Sequence, residues 1–296
     1  MYGQVKQPSC ILAVADGAAG DGSLLRQALS LARQFGARIE LFLCASQQAY
    51  VLAHRYERAG VEEARAACVA QARAYLADLA ASIGACEIEI TVDARCESPL
   101  YEGIARKVAR CGADLVIKRA GGAESARGTP DQNDWQLMRT CPATLLLCRG
   151  QSWARPARFA TAIDVSQEET AGLAREVLEA ACMLASAAGA GLDVLYGETA
   201  AGSAPAQARR SELLRLCGAQ HIAPDKLHVL MGQPELMLPA FAARERYDLL
   251  ILGALTHRRA GAVSVGTLTS KLLDAVGCDF ALIKPASFRS PIAGPV

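Results

Sequence analysis

Features that would favour a nucleic-acid partner are scarce in this chain. Aromatic side chains make up only 5% of its 296 residues, too few to suggest a platform on which bases stack. Basic residues form no long block and the formal net charge is +1, which disfavours a charged face that tracks phosphates. We therefore expect no nucleic-acid partner.

Signals for export, membrane insertion and metal binding are missing as well. The first eight residues show no charged segment followed by an apolar one, and no apolar run approaches the ~20 residues of a membrane-spanning helix. The eleven cysteines include no CxxC pair, and the four histidines show no metal-ligand spacing. Thiols in a chain without an export signal indicate a reducing compartment. We expect a cytoplasmic protein with no membrane contact and no structural metal.

What the chain does have is apolar runs of strand length that alternate with helical patterns. The runs predict strands at 10–15, 38–43, 87–92, 114–117 and 143–147, and again at 159–163, 192–196, 227–230, 248–252 and 280–283. Helices are predicted at 23–35 with Ser23 as N-cap, at 53–83, 99–110, 168–188 and 205–216, from Pro234, and along 268–276. Alternating β and α elements predict parallel, doubly wound sheets.

Landmark residues recur in the same order in the two halves, which indicates an internal repeat. The pairs are Asp16/Asp164, Gly36/Gly189, Pro99/Pro234, Asp114/Asp248 and Cys141/Cys278. Their spacing drops once, after the second pair, because the first half has extra residues in its long helix. The sequence thus predicts two α/β domains, 1–150 and 151–296, each with a five-stranded sheet, joined near 150–157.

The segment 248–285 is the better preserved copy of a βαβ unit. A buried-strand run ends at Gly253, a polar loop follows, and Gly266-Thr267 opens a helix that leads to the next strand. Loops at this place in a doubly wound sheet bind ligands. Helix-start N–H groups and the helix dipole favour a phosphate there, and glycine permits its close approach.

These residues resemble the universal stress proteins, and the whole chain resembles their tandem E-type members. The nucleotide-binding class of that family has Gly, two residues, Gly, nine residues, Gly, then Ser or Thr. Here the pattern is Gly253, Thr256 in place of the second glycine, and Gly266-Thr267. The first half resembles the E-type pattern through the segments 114–118, Thr129-Pro130, Asp134-Trp135 and 139–142.

The resemblance implies a Rossmann-like, adenine nucleotide alpha hydrolase-like fold, with the domains related by a pseudo-two-fold axis and their fifth strands facing. It also implies that ATP or AMP binds in the second domain. Gly253, Thr256, Gly266 and Thr267 would form the loop around the phosphates. Asp164 would accept hydrogen bonds from ribose or adenine, and Leu195 would pack on the base.

Structural readings of the same residues stay open. Gly253 and Gly266 could be ordinary strand-end and helix-start glycines, Thr267 a cap, and Asp164 the end of a strand. The Cβ of Thr256 could crowd the loop. In the first domain, Arg119 and Gln132 stand where Gly253 and Gly266 stand in the second, so that copy is expected to be degenerate for nucleotide.

The leading hypothesis is a cytosolic stress-response protein that binds an adenine nucleotide and is not an enzyme, since no nucleophile–base pairing stands out. The alternative is an interaction scaffold, or a carrier of a small apolar ligand held between the domains. An adenylating or pyrophosphatase enzyme is disfavoured because neither a Ser-Gly-Gly loop nor a His-x-Gly-His helix start is present. The sequence predicts an intrachain pseudo-dimer, and it leaves open the protein partners and the pairing of two chains in a homodimer.

Overall fold

The chain divides into two compact units, Pro8–Gly150 and Gln151–Phe288, which we call the N-terminal unit and the C-terminal unit. The computed structural model describes residues 6–45, 58–122, 125, 128–165, 168–199, 204–254, 256–257, 263–264 and 267–292.

Strands and helices alternate along the N-terminal unit. Its elements are β1 (Cys10–Ala15), α1 (Asp21–Phe35), β2 (Arg38–Cys44), α2 (Arg58–Ala81), β3 (Ile90–Arg95), α3 (Leu100–Cys111), β4 (Leu115–Arg119), α4 (Gln132–Thr140) and β5 (Thr144–Cys148). The strands pair in parallel in the order β3-β2-β1-β4-β5. Because the strand order reverses between β1 and β4, a ligand crevice is expected at the carboxyl ends of these two strands.

The C-terminal unit follows the same plan. Its elements are β6 (Arg158–Ala162), α5 (Glu168–Ala188), β7 (Gly191–Glu198), α6 (Ala204–Ala219), β8 (Leu227–Met231), α7 (Pro234–Glu245), β9 (Leu249–Gly253), β10 (Thr256–His257), β11 (Val263–Ser264), α8 (Thr267–Ala275) and β12 (Asp279–Ile283). Its parallel order is β12-β9-β6-β7-β8, with β10 and β11 as a separate hairpin. The corresponding crevice lies between β6 and β9.

The central strands form the core of each unit. Every residue of β1 and of β12 is buried, as expected of parallel strands that are covered on both faces. Phe42, Phe159 and Phe280 have no exposed surface, and burying a side chain of this kind stabilises a fold by roughly 1.5–3 kcal/mol. The predicted fold class, two tandem α/β units with doubly wound parallel five-stranded sheets, is confirmed.

The predicted start of α1 at Ser23 is wrong. The helix begins at Asp21, with Gly20 as N-cap, and the Ser23 hydroxyl donates to the Gly20 carbonyl at 2.7 Å. The Asp21 carboxylate accepts the backbone N–H groups of Asp16 and Gly17 at 3.2 and 2.9 Å. The preceding loop therefore folds onto the helix start earlier than the capping pattern predicted.

The predicted bounds of the third strand are also wrong, since β3 runs from Ile90 to Arg95 rather than over 87–92. Its charged end, with Asp93 and Arg95, breaks the apolar alternation on which the prediction depended. These charges are tolerated because they are compensated: the Asp93 carboxylate lies 2.9 Å from the ammonium of Lys107 and 3.4 Å from Nε of Arg95.

Candidate nucleotide site

The structure places three predicted site residues of the C-terminal unit at or near the carboxyl ends of neighbouring strands. Leu195 of β7 and Leu252 of β9 both pair with Ala162 of β6. Gly253 follows Leu252 directly, and Asp164 comes two residues after Ala162. Asp164 and Gly253 thus lie at the carboxyl ends of β6 and β9, the two strands between which the order reverses, where parallel sheets bind ligands. Leu195 lies one strand away, on β7.

Gly253 is closely packed from the helix side. A Cβ at this position would lie 3.0 Å from Cδ2 of Leu173 in α5. The Gly253 carbonyl accepts a hydrogen bond from the hydroxyl of Thr269, in the first turn of α8, at 3.3 Å. The glycine therefore lets α5 pack closely against the end of β9, and its carbonyl holds the start of α8 at the same place. Both roles are structural and do not depend on a ligand.

Thr256 lies in a paired strand rather than in a tight glycine turn. Its backbone pairs with Ser264, and His257 pairs with Val263, in the antiparallel hairpin β10–β11. A β-branched residue suits such an extended conformation. Thr267 is the first residue of α8, at the end of the helix whose N–H groups favour anions. Gly266 lies outside the described residues.

The two residues predicted to contact the nucleoside differ in exposure. Asp164 is exposed, as a hydrogen-bond acceptor for a ribose or an adenine must be. Leu195 has no exposed surface and belongs to the core. Its contact with a base stays a prediction, which would require the strand end to open slightly.

A polar cluster that the sequence patterns did not indicate lies at the end of β7. Glu198 is buried and accepts two hydrogen bonds from the Arg209 guanidinium, at 2.7 and 3.2 Å. The Tyr196 hydroxyl donates to Glu198 at 3.5 Å. Burial, together with the charges of Glu198 and Asp164, raises the pKa of Tyr196. The cluster therefore joins the end of β7 to α6 through Glu198 and Arg209.

In the N-terminal unit, an arginine side chain occupies the corresponding strand end. Arg119 is the last residue of β4, as Gly253 is of β9. Its Nε lies 3.3 Å from the carboxylate of Asp16, and its Nη2 donates to the Gly122 carbonyl at 2.9 Å. A Cβ on Gly20 would clash with Nη1 of Arg119. The guanidinium thus occupies part of the space at the end of β1, against Gly20.

The loop N–H groups of the same unit are bound by an internal carboxylate. Asp134 has no exposed surface and accepts hydrogen bonds from the Lys118 ammonium at 2.7 Å and from the N–H groups of Gly121 at 2.6 Å and Asp131 at 3.1 Å. Asp131 in turn caps α4 by accepting the Asp134 N–H at 2.8 Å. Strand-end and helix-start N–H groups are the donors that bind phosphates. Here Asp134 takes the place of such an anion.

Beside this filled loop, the N-terminal unit has a cavity of about 580 Å³. Its walls combine apolar side chains, such as those of Val14, Leu43 and Leu100, with polar ones, such as those of Gln71 and Asn133. Tyr75 adds a polar group, and its hydroxyl donates to the Asp21 carboxylate at 2.9 Å. Burial and this hydrogen bond raise the pKa of Tyr75, so the phenol stays protonated. The volume lies in the range of small-molecule sites.

The described part of the chain shows neither a metal-binding cluster nor a membrane-spanning helix. There, no group of three or more His, Cys, Asp or Glu side chains is arranged to hold a metal ion. Among the same residues, no helix combines the length and the apolar character that crossing a membrane requires.

The fold and its strand-end loops define a tandem Rossmann-like α/β protein. No protein-family profile matches the chain. The chain is 23% identical over 304 residues to universal stress protein E of Escherichia coli strain K12, with 95% of this chain and 96% of the relative covered. It is 27% identical over 224 residues to a universal stress protein E homologue of Haemophilus influenzae, with 68% and 71% covered.

Solved structures agree with this fold over nearly the whole chain. A Pseudomonas aeruginosa protein assigned to the universal stress proteins superposes with a TM-score of 0.74 at 20% identity, covering 94% of each chain. A universal stress protein of Archaeoglobus fulgidus gives 0.65 at 16% identity, covering 95% and 98%. The chain is thus similar over nearly its whole length to tandem universal stress proteins, the family that its sequence motifs resemble.

Proposed function

We propose that this chain is a cytosolic stress-response protein whose C-terminal unit binds an adenine nucleotide, ATP or AMP, and whose N-terminal unit does not. The similarity to universal stress protein E over 95% of the chain supports the stress role. The cytosolic location is supported by the cysteines: all eleven are described, and none forms a disulfide, as is usual in a reducing compartment.

One observation carries the contrast between the units. The third residue of α4 is Asp134, and the third residue of α8 is Thr269. The carboxylate can only accept, so it binds the loop N–H groups from inside the protein. The Thr269 hydroxyl instead donates a hydrogen bond to the Gly253 carbonyl. Because the acceptor in this bond is a carbonyl, the bond occupies no backbone N–H group. The C-terminal loop therefore lacks this internal competitor for a phosphate.

The nucleoside would lie against the edge formed by the ends of β6, β7 and β9. Asp164 is exposed there to accept a ribose hydroxyl or the adenine amino group. The start of α8, at Thr267, would stabilise the phosphates through its N–H groups and its dipole. We propose binding rather than catalysis, because the sequence pairs no nucleophile with a base.

Titration calorimetry of the full chain with ATP and Mg²⁺ tests this proposal with matched variants in the two units. Gly266→Val adds a side chain at the proposed phosphate loop and should abolish binding. Gln132→Val, at the position that aligns with Gly266 in the sequence of the N-terminal unit, should leave binding unchanged. Asp164→Asn should weaken binding and Asp16→Asn should not. Affinity that is equal in all four variants and the wild type would refute the assignment.

The cavity of the N-terminal unit favours a second function, the carriage of a small ligand that has both apolar and polar groups. The alternative from the sequence placed a small apolar ligand between the domains, whereas this cavity lies within one unit. Leu43→Trp would fill it. A fluorescent fatty acid should bind the wild type and not this variant, while ATP binding stays unaltered.

A further inference from the structure

Cys10 and Cys111 place two thiols side by side in the N-terminal unit. Cys10 is the first residue of β1 and is 2% exposed, and Cys111 is the last residue of α3 and is half-buried. The neighbouring Cys111 thiol, second to burial, helps to raise the pKa of Cys10, and the Cys111 thiol lies 3.9 Å from the Val108 carbonyl, to which it donates. The pair therefore joins a buried thiol to one that small solutes can reach.

Contacts of the surrounding backbone hold this pair in place. Asp114, three residues after Cys111, donates its N–H to the Cys10 carbonyl at 3.0 Å and accepts the Cys10 N–H with its carboxylate at 3.3 Å. Arg38 pairs with Cys10 in the sheet, and its Nη2 donates to the Cys111 carbonyl at 2.7 Å. The hydrogen bonds of Asp114 and Arg38 thus hold the end of α3 next to the start of β1.

We propose that Cys10 and Cys111 form an intrachain disulfide when the protein meets a hydroperoxide. The Cys111 sulfur attacks the peroxide: an S–O bond forms, the O–O bond breaks, and the leaving hydroxide departs as water with the thiol proton. The Cys10 sulfur then attacks the sulfenic acid: the S–S bond forms, the S–O bond breaks, and a second water leaves with the Cys10 proton. Two thiols and one hydrogen peroxide give one disulfide and two waters.

The environment of the two sulfurs sets the order of these steps. Burial, and next the neighbouring Cys111, raises the pKa of Cys10 to about 11, although the Arg38 guanidinium opposes this. Cys10 therefore stays protonated and shielded in the resting protein, and it acts as the resolving cysteine. The half-buried Cys111 is the one that a peroxide reaches first. Transient disulfides of this kind are the sort that occur in reducing compartments.

Peptide mapping of the full wild-type chain tests the proposal. The reduced protein is treated with hydrogen peroxide at one to a few equivalents, alkylated while unfolding, digested without reductant and analysed by mass spectrometry. We expect a linked Cys10–Cys111 peptide that lacks two hydrogens, two fewer alkylated thiols, and reversal by dithiothreitol. Cys111 oxidised to sulfinic acid with no linked peptide, or left unchanged while other cysteines are oxidised, would overturn the proposal.

Two serine variants complete the test. Cys111→Ser should lose the linked peptide, and Cys86→Ser should keep it, because Cys86 is a half-buried cysteine whose thiol donates to a local carbonyl, that of Ile88, at 3.3 Å. Loss of the Cys10–Cys111 link in Cys86→Ser would show that another cysteine mediates the oxidation and would refute the direct mechanism. The wild-type map remains decisive even if Cys111→Ser fails to fold.

Discussion

Replacing Asp134 by alanine should destabilise the N-terminal unit far more than an ordinary loss of a helix cap. The variant leaves the Lys118 ammonium, whose side chain is 4% exposed, without its carboxylate, and a buried charge left in this way costs about 3–5 kcal/mol. The N–H groups of Gly121 and Asp131 lose an acceptor as well. By contrast, Asp131→Ala removes only the N-cap oxygen and should cost about 1 kcal/mol.

Guanidinium unfolding in a Trp153→Phe background is the suitable assay. The chain has two tryptophans, and in this background the remaining one, Trp135, lies next to Asp134 and reports on the N-terminal unit. A double variant, Lys118→Met with Asp134→Leu, removes both charges and should recover most of the lost stability. The reasoning is refuted if Asp134→Ala and Asp131→Ala cost the same, or if the double variant is no more stable than Asp134→Ala.

The same variant tests whether Asp134 stands in for a bound anion. With the carboxylate removed, the Lys118 ammonium and the Gly121 N–H face an anion-sized vacancy, so inorganic phosphate should bind there and stabilise the folded state. At a phosphate concentration 100 times the dissociation constant the gain is about 2.7 kcal/mol. Chloride at equal ionic strength is the control, and the wild type should show no such gain. Equal responses of the variant and the wild type would contradict the stand-in role.

Three further outcomes follow from particular contacts. Although burial opposes it, the hydrogen bond from Lys107 lowers the pKa of Asp93. The ionised carboxylate therefore stabilises the fold fully at pH values above its unfolded pKa, near 3.8, and this stabilisation is lost as the pH falls through the lower pKa of the folded state. In urea titrations, Asp93→Asn should be less stable than the wild type at pH 7. Below about pH 4, the stability of the variant should depend less on pH than that of the wild type. Gly253→Ala brings a Cβ to 3.0 Å from Leu173 and should cost about 1–3 kcal/mol in chemical denaturation, partly restored by Leu173→Ala. Arg119→Gly empties the space above β1 but leaves the internal carboxylate in the loop, so calorimetry should still detect no ATP binding in the N-terminal unit; a second ATP site would show that the arginine alone blocks it.

The strands and the fold class could be predicted from the sequence because a parallel strand buried on both faces is a continuous run of apolar residues. Runs such as 10–15 and 280–283 are apolar throughout, and the structure places strands there. Bounds failed where an element is charged, as in β3, because the compensating Lys107 lies on another element. Helix α4 was not predicted, although Asp131 and Asp134, three residues apart, form a capping box that could have indicated it.

The candidate site was only partly predictable for a related reason. The glycine spacing located the loop of the C-terminal unit, and the replacement by Arg119 indicated a degenerate N-terminal copy. Nothing local showed that Asp134 reaches back across the loop to Gly121, thirteen positions earlier. The pairing of Glu198 with Arg209 likewise joins a strand to the next helix. Contacts of this kind depend on how elements pack, which spacing alone does not encode.

The two units show that a glycine pattern is an incomplete description of such a phosphate loop. Gly253 and Arg119 differ in the space they leave at the strand end, and the pattern records this difference. Thr269 and Asp134 occupy the same position of their helices yet differ in hydrogen-bonding direction: one donates to a strand-end carbonyl and the other accepts from loop N–H groups. An anion competes only with an acceptor. We therefore propose that the chemistry of this third helical residue, independently of the glycines, decides whether the loop receives a phosphate.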